Sequence, residues 1–172
     1  MLDDPRSEKF INSFTDQWLK LNEIDFTSPD RKQFRTFDLV VQHSMLLETR
    51  TFIRKLINDD LSVANFVDSD FACLNERLIR HYRMTDEVKN WQAGRGIQTV
   101  PLSPGSRRGG LITQGAILKV TADGTSTSPI VRGVFVNERI LGVHIPPPPS
   151  GIPAVEPDIR GATSIRDKLA KH

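Results

Sequence analysis

Along the first 85 residues the apolar positions recur at helical spacing. Phe10, Phe14, Trp18 and Leu21 share one face while Glu8, Lys9, Gln17 and Lys20 decorate the other, which predicts an amphipathic first helix. Ser28-Pro29-Asp30 has the composition of a helix start. Its hydroxyl can accept from an orphan N–H, the proline suits the first helical position, and the carboxylate favours the positive end of the dipole. A long second helix is predicted from there to about Asn58, with Phe37, Val41, Met45, Phe52 and Leu56 along one stripe and Asn58-Asp59-Asp60 ending it. After a short turn, Leu74, Leu78, Ile79 and Tyr82 mark a third helix.

The pattern changes after Thr85. Gly94-Arg95-Gly96 and residues 101–110 bring loop chemistry, with 97–102 as a short extended piece. Over 111–120 the apolar positions do not alternate, which favours helix over strand. Ser128-Pro129 is a second cap-plus-proline start, followed by Val131, Val134, Phe135 and Ile140-Leu141, with Gly142 as the stop. Prolines 146–149 predict a polyproline II spacer, 152–158 a linker, and 163–170 a short last helix. The expectation is an all-α (mostly α) fold: a helical module over 1–100 and a smaller helix-and-loop module over 101–172 that carries the extended proline segment.

Composition narrows the function classes. With 38% hydrophobic and 26% charged residues the chain can bury a core. Its 23 basic and 21 acidic residues balance too evenly to argue for nucleic acid or a membrane surface. Nothing approaches the ~18 consecutive apolar residues of a membrane span, and the polar, acidic start shows no signal peptide. The single cysteine, Cys73, excludes an internal disulfide and a cysteine-based zinc site, and its apolar surroundings point to a buried, inert thiol.

No catalytic motif stands out. No two of His43, His81, His144 and His172 have the spacing of a helical two-histidine metal site. His81, at the end of the third helix, suits the negative end of the dipole as an imidazolium. Glu48 falls on the apolar stripe and points inward, where Arg77 or Arg80 would complete a salt bridge. The loop 103–110 resembles a phosphate cradle but lacks the Gly-Lys-Ser/Thr ending of a P-loop.

Five motifs together carry a resemblance. They are Asp70-Phe-Ala-Cys-Leu-Asn-Glu-Arg-Leu-Ile-Arg-His-Tyr82, Arg108-Gly-Gly-Leu-Ile-Thr-Gln114, Thr127-Ser-Pro-Ile-Val-Arg-Gly133, Ile140-Leu-Gly142 and the proline run. In this order they resemble the large exported proteins of planctomycetes and related bacteria that carry cytochrome-c-like domains. Two consecutive modules of that family are catalogued as domains of unknown function 1592 and 1588. Members commonly have glycine where this chain has Arg83. In the family, the second module usually runs on into a Cys-x-x-Cys-His haem-attachment motif, which this sequence lacks. The resemblance therefore implies a fragment or truncated product that ends before its cofactor site. It implies no cofactor in this chain, haem c in the full-length protein, and an exported or periplasmic location. His43, His81, Met45 and Met84 are the histidines and methionines of the helical part, and each is read as structural rather than as a distal haem ligand.

The resulting expectation is a non-catalytic module that supports or docks a haem-bearing domain of the same polypeptide for electron transfer. Arg108, Thr127, Ser128, Arg132 and Glu138 are its candidate contact residues. Two alternatives stand beside it: an interaction scaffold that uses the exposed proline run, and an accessory part of a polysaccharide-degrading enzyme. The latter would need paired carboxylates, for which Glu48 with Asp68 or Asp70 is the available set.

Overall fold

The computed structural model describes residues 4–89, 91–146 and 166–167. Helix α1 (Ser7–Trp18) packs on α2 (Leu39–Asn58), but not by the aromatic face that its pattern marks as apolar. Ile11 and Thr15 are buried instead, with Leu19 just beyond the helix; of the expected face Leu21 is buried and Trp18 packs half-buried on the core, while Phe10 is 65% exposed and Phe14 46%. The charges next to the interface account for this rotation. Glu8 and Asp16, two turns apart on α1, pair with Arg54 (2.7 Å) and Arg50 (2.6 Å) on α2, and Asn12 between them accepts from Arg54 (3.2 Å). One edge of α1 is thereby fixed along α2, which leaves the aromatic edge outside.

α2 starts ten residues later than the Ser28-Pro29 signal predicts. Asp38 is its cap, accepting from the Val41 N–H at 2.8 Å. Asp30 is spent elsewhere: its carboxylate accepts from Lys32 and Gln33 N–H, and its own N–H donates to the Gly124 carbonyl at 2.9 Å. Residues 27–38 are accordingly an irregular loop, with Phe37 packed on the core from outside the helix. The rest of the expected stripe, Val41, Met45, Phe52 and Leu56, is buried, and the helix ends at Asn58.

The fold is mostly helical rather than purely all-α. Strand β1 (Phe71–Leu74) pairs antiparallel with β2 (Gln98–Pro101), in the register Phe71↔Pro101 to Leu74↔Gln98. A four-residue apolar run is too short for periodicity to separate strand from buried helix, and Leu74, expected as the first apolar position of the third helix, ends the strand instead. Asn75 then caps α3 (Glu76–His81) through the Leu78 N–H. A short 3-10 turn (Leu111–Thr113) leads into α4 (Gly115–Val120). Ser128 caps α5 (Pro129–Phe135) at the Val131 N–H, and the last turns widen into a π-helical segment, Val136–Ile140, before Gly142. Leu111, Ile117 and Phe135 join Val41, Phe52 and Leu78 in one hydrophobic cluster. The proline run beyond Pro146, the 152–158 linker and, apart from helical Arg166 and Asp167, the expected last helix lie outside the described residues.

Arg83, exposed just after α3, has a left-handed backbone at φ +58°. That conformation suits glycine and strains an L side chain by about 1–2 kcal/mol. Arg83→Gly is expected to raise the unfolding free energy by about 0.5–1 kcal/mol, read as a higher urea midpoint at unchanged slope. A lower midpoint would contradict this account of the turn.

Candidate functional site

α2 presents Met45 and Glu48 to the end of α3, and α4 closes the space from the other side. Glu48 is buried, and its Oε2 accepts from the Tyr82 hydroxyl at 2.6 Å and from the Gly115 N–H at 3.4 Å. The same N–H also donates to the Tyr82 oxygen at 3.0 Å. Burial pushes the Glu48 pKa up to about 7, opposed by the Tyr82 hydrogen bond, the Arg108 charge and the Gly115 N–H. The expected salt bridge does not form. Arg77 pairs with Asp38 and Arg80 with Glu76, both at the surface, because α3 turns Leu78 and Ile79 into the core.

Gly115 is what allows this approach. A Cβ there would collide with the Tyr82 hydroxyl and stand 2.8 Å from Met45 Cγ. Glycine has a similar use in the 103–110 loop. A Cβ on Gly109 or Gly110 would stand 2.7 Å from the Ser69 carbonyl oxygen or 2.6 Å from that of Val67. These glycines serve backbone packing rather than the phosphate cradle their composition resembles. The loop delivers Arg108, whose guanidinium lies 3.5 Å over the Tyr82 ring and donates to the Thr113 carbonyl at 2.8 Å.

Two further cations approach from the C-terminal side. Arg132 Nε donates to Thr121 Oγ1 at 3.3 Å, and its Nη2 to Thr127 Oγ1 at 2.5 Å. Thr127 is placed by a tight turn in which the Asp123 carboxylate accepts from the N–H and hydroxyl groups of both Thr125 and Ser126. Lys119, buried on α4, donates to the carbonyls of Ile24 and Thr27, the latter at 2.7 Å. Burial lowers the pKa of both Lys119 and Arg132.

Together these groups frame a cleft of about 390 Å3 whose apolar walls include Phe34, Phe37 and Leu118. Among the described residues no carboxylate lines it. Of the expected contact residues, Arg108, Thr127 and Arg132 meet here; Ser128 is used as the α5 cap, and Glu138 is exposed on the π-helical segment. His81 edges the cleft, bonded through Nδ1 to Thr36 Oγ1 at 2.9 Å. Burial, helped by Arg108, lowers its pKa, so the expected dipole-stabilised imidazolium is not favoured. His43 is exposed on the outer face of α2, and Met84 is buried. Asp68 and Asp70 are exposed and do not line the cleft. Sequence reasoning missed Tyr82 and Lys119 as site residues. The one available signal was a lysine set between the apolar residues Leu118 and Val120 of α4.

Residues 1–84 match the family model PSD4, described as a protein of unknown function (DUF1592). Residues 108–172 match a second, PSCyt3, described as a protein of unknown function (DUF1588). The cleft draws on both matched segments, with Phe37 and Tyr82 from the first and Arg108, Lys119 and Arg132 from the second. No curated protein and no solved structure matches the chain. The residues do not fit a covalently held haem. Cys73, the single thiol, is buried in β1, where burial pushes its pKa up to about 11. Among the described residues no three His, Cys, Asp or Glu side chains gather as a metal site.

Glu48 gives the stability a pH dependence of known sign. Its folded pKa of about 7 lies above its ordinary 4.5, so between those values the folded chain holds the proton that the unfolded chain loses. The stability this group supplies is complete below about pH 4.5 and falls as the pH rises to about 7. Glu48→Gln is expected to flatten that fall by on the order of 3 kcal/mol, measured as the difference between the two urea-derived stability profiles; parallel profiles would refute it. Gly115→Ala is expected to destabilise by about 1–3 kcal/mol through overpacking against Tyr82 and Met45. Thermal unfolding checks this, and an unchanged midpoint would mean the close approach is not needed.

Proposed function

From a chain built of a PSD4 module followed by a PSCyt3 module, we propose a non-catalytic support of an exported, cytochrome-like protein, on which a haem-bearing domain of the same polypeptide docks for electron transfer. The observation that carries this reading is the aromatic face of α1. Phe10 stacks on Phe14 at 6.2 Å, Phe14 on Trp18 at 5.5 Å, and Trp18 meets Phe66 at 5.4 Å. Val63 and Val67, exposed beside Phe66 in sequence, extend the apolar character. Contiguous exposed apolar surface of this kind marks an interaction site.

The C-terminal end of the fold is fastened to the same face. Trp18 Nε1 donates to the Arg139 carbonyl at 2.5 Å, so the chain leaves its π-helical segment beside the aromatic row. In this reading Glu138, exposed next to Arg139, is a polar contact at its rim. The cytochrome-like name of the second module supports the haem context and, with it, export. Among the described residues no helix is long and apolar enough to cross a membrane. The scaffold alternative rests on the proline run, which lies beyond Pro146 outside the described residues. The hydrolase alternative has little support, because Glu48 is bound to Tyr82 in the core while Asp68 and Asp70 are exposed.

The double variant Phe10→Glu/Phe14→Glu tests the reading. In the isolated chain it should shift stability by less than about 0.5 kcal/mol, since both rings are largely outside the core. In the full polypeptide it should release the haem domain, read as a larger radius of gyration by small-angle scattering and a slower intramolecular reduction of the haem. Unchanged dimensions and rate would reject the docking surface. A coding sequence with no Cys-x-x-Cys-His after residue 172 would remove the haem domain itself.

A further inference from the structure

We infer that the cleft between the 27–37 loop and the 108–132 segment binds a small amphipathic carboxylate, an acid with an apolar and preferably aromatic body whose carboxylate group is taken by Arg132 and Arg108. This goes beyond the docking role, involves a different surface, and does not depend on it.

The charge pattern comes first. The half-buried arginines on the α1–α2 seam find carboxylates, Arg50 with Asp16 and Arg54 with Glu8, as do Arg77 with Asp38 and Arg80 with Glu76 on α3. Among the described residues the three cations of the cleft bond no carboxylate, and their hydrogen bonds go to neutral oxygens of Thr113, Thr121, Thr127, Ile24 and Thr27. Two acids act on these cations through space without bonding them: Asp25, which accepts from the Gln42 amide, on Lys119, and Glu48, which accepts from the Tyr82 hydroxyl, on Arg108. Partly buried cations without a directly bonded counter-charge are held at a disadvantage, and burial lowers the pKa of Lys119, Arg132 and His81 alike. An anion in the cleft supplies the direct partner that the described residues do not.

The geometry then gives each cation a role. Arg132 has five N–H donors, of which the two threonine hydroxyls engage two through Nε and Nη2. The fork is therefore oriented and still has donors for a bidentate carboxylate. Arg108 is laid flat on Tyr82 and bonded through Nη1 alone, so it too retains donors. Lys119 is satisfied by its carbonyls and contributes field rather than contact.

The walls decide the body of the ligand. Phe34, Phe37, Met45 and Leu118 face the same space, and the volume of about 390 Å3 sits at the small end of the range for small-molecule sites. A bare inorganic oxyanion would use the guanidinium groups and leave these walls in water. A neutral apolar molecule would use the walls and leave the cations unmatched.

The test uses the whole chain with 2-naphthoate, 2-naphthamide and inorganic phosphate in isothermal titration calorimetry. The acid should bind at least about tenfold more tightly than the amide, which has the same body without the charge. Phosphate should bind more weakly than the acid. Arg132→Met should weaken the acid about tenfold and leave the amide unchanged, while Phe37→Ala should weaken both. Equal affinity for acid and amide, phosphate binding as tight as naphthoate, or an Arg132→Met chain that binds the acid normally would each overturn the assignment. The comparison of acid with amide needs no variant, so it decides the matter even if circular dichroism shows Arg132→Met to be misfolded.

Discussion

Glu48 reaches from α2 to the Tyr82 hydroxyl at the end of α3 and to the Gly115 N–H at the start of α4. These are polar contacts inside a cluster of leucine, isoleucine and phenylalanine, where an unpartnered oxygen would be costly. The junction therefore fixes how three helices meet. It also sets the position of the Tyr82 ring, and Arg108 rests on that ring. The floor and one cationic wall of the cleft follow from where one buried acid finds its hydrogen bonds.

A second constraint acts at the periphery. Exposed ion pairs contribute little to stability one by one, yet the Asp16–Arg50 pair is partly buried, Arg54 is too although its partner Glu8 is exposed, and the two pairs run along one seam. Their effect is on orientation. They select which face of α1 meets α2 and leave a stacked aromatic row facing outward. The fold thus has two distinct surfaces, a cationic cleft across the junction of the matched segments and an apolar face on the first of them.

Where a signal was local and self-contained, the sequence could be read. Ser128-Pro129 starts α5, Asn58 ends α2, and the stripe from Val41 to Leu56 is core. Arg83, where the resemblance implied a glycine, has a left-handed backbone. Signals that depended on a distant partner failed. Ser28-Pro29-Asp30 has the form of a helix start, but the Asp30 N–H belongs to the Gly124 carbonyl, 94 positions away in the chain. The spacing of Phe10, Phe14 and Trp18 marks an apolar face but cannot say that the neighbouring face, Ile11 and Thr15, is the one α2 takes. Glu48 was legible as a buried acid. Its partner was not, since two arginines at suitable spacing turned out to face solvent and a tyrosine one turn on did not.

The missing side chain at Gly115 has a consequence for how such sequences can change. A β-carbon at that position needs the space the Tyr82 hydroxyl occupies, and removing the hydroxyl takes away the donor that Glu48 accepts from. No single step among these three positions is free. A lineage that alters one must alter the others in concert or leave all of them in place. Residues 48, 82 and 115 should therefore be inherited as a unit, although they lie on three different helical elements or their ends.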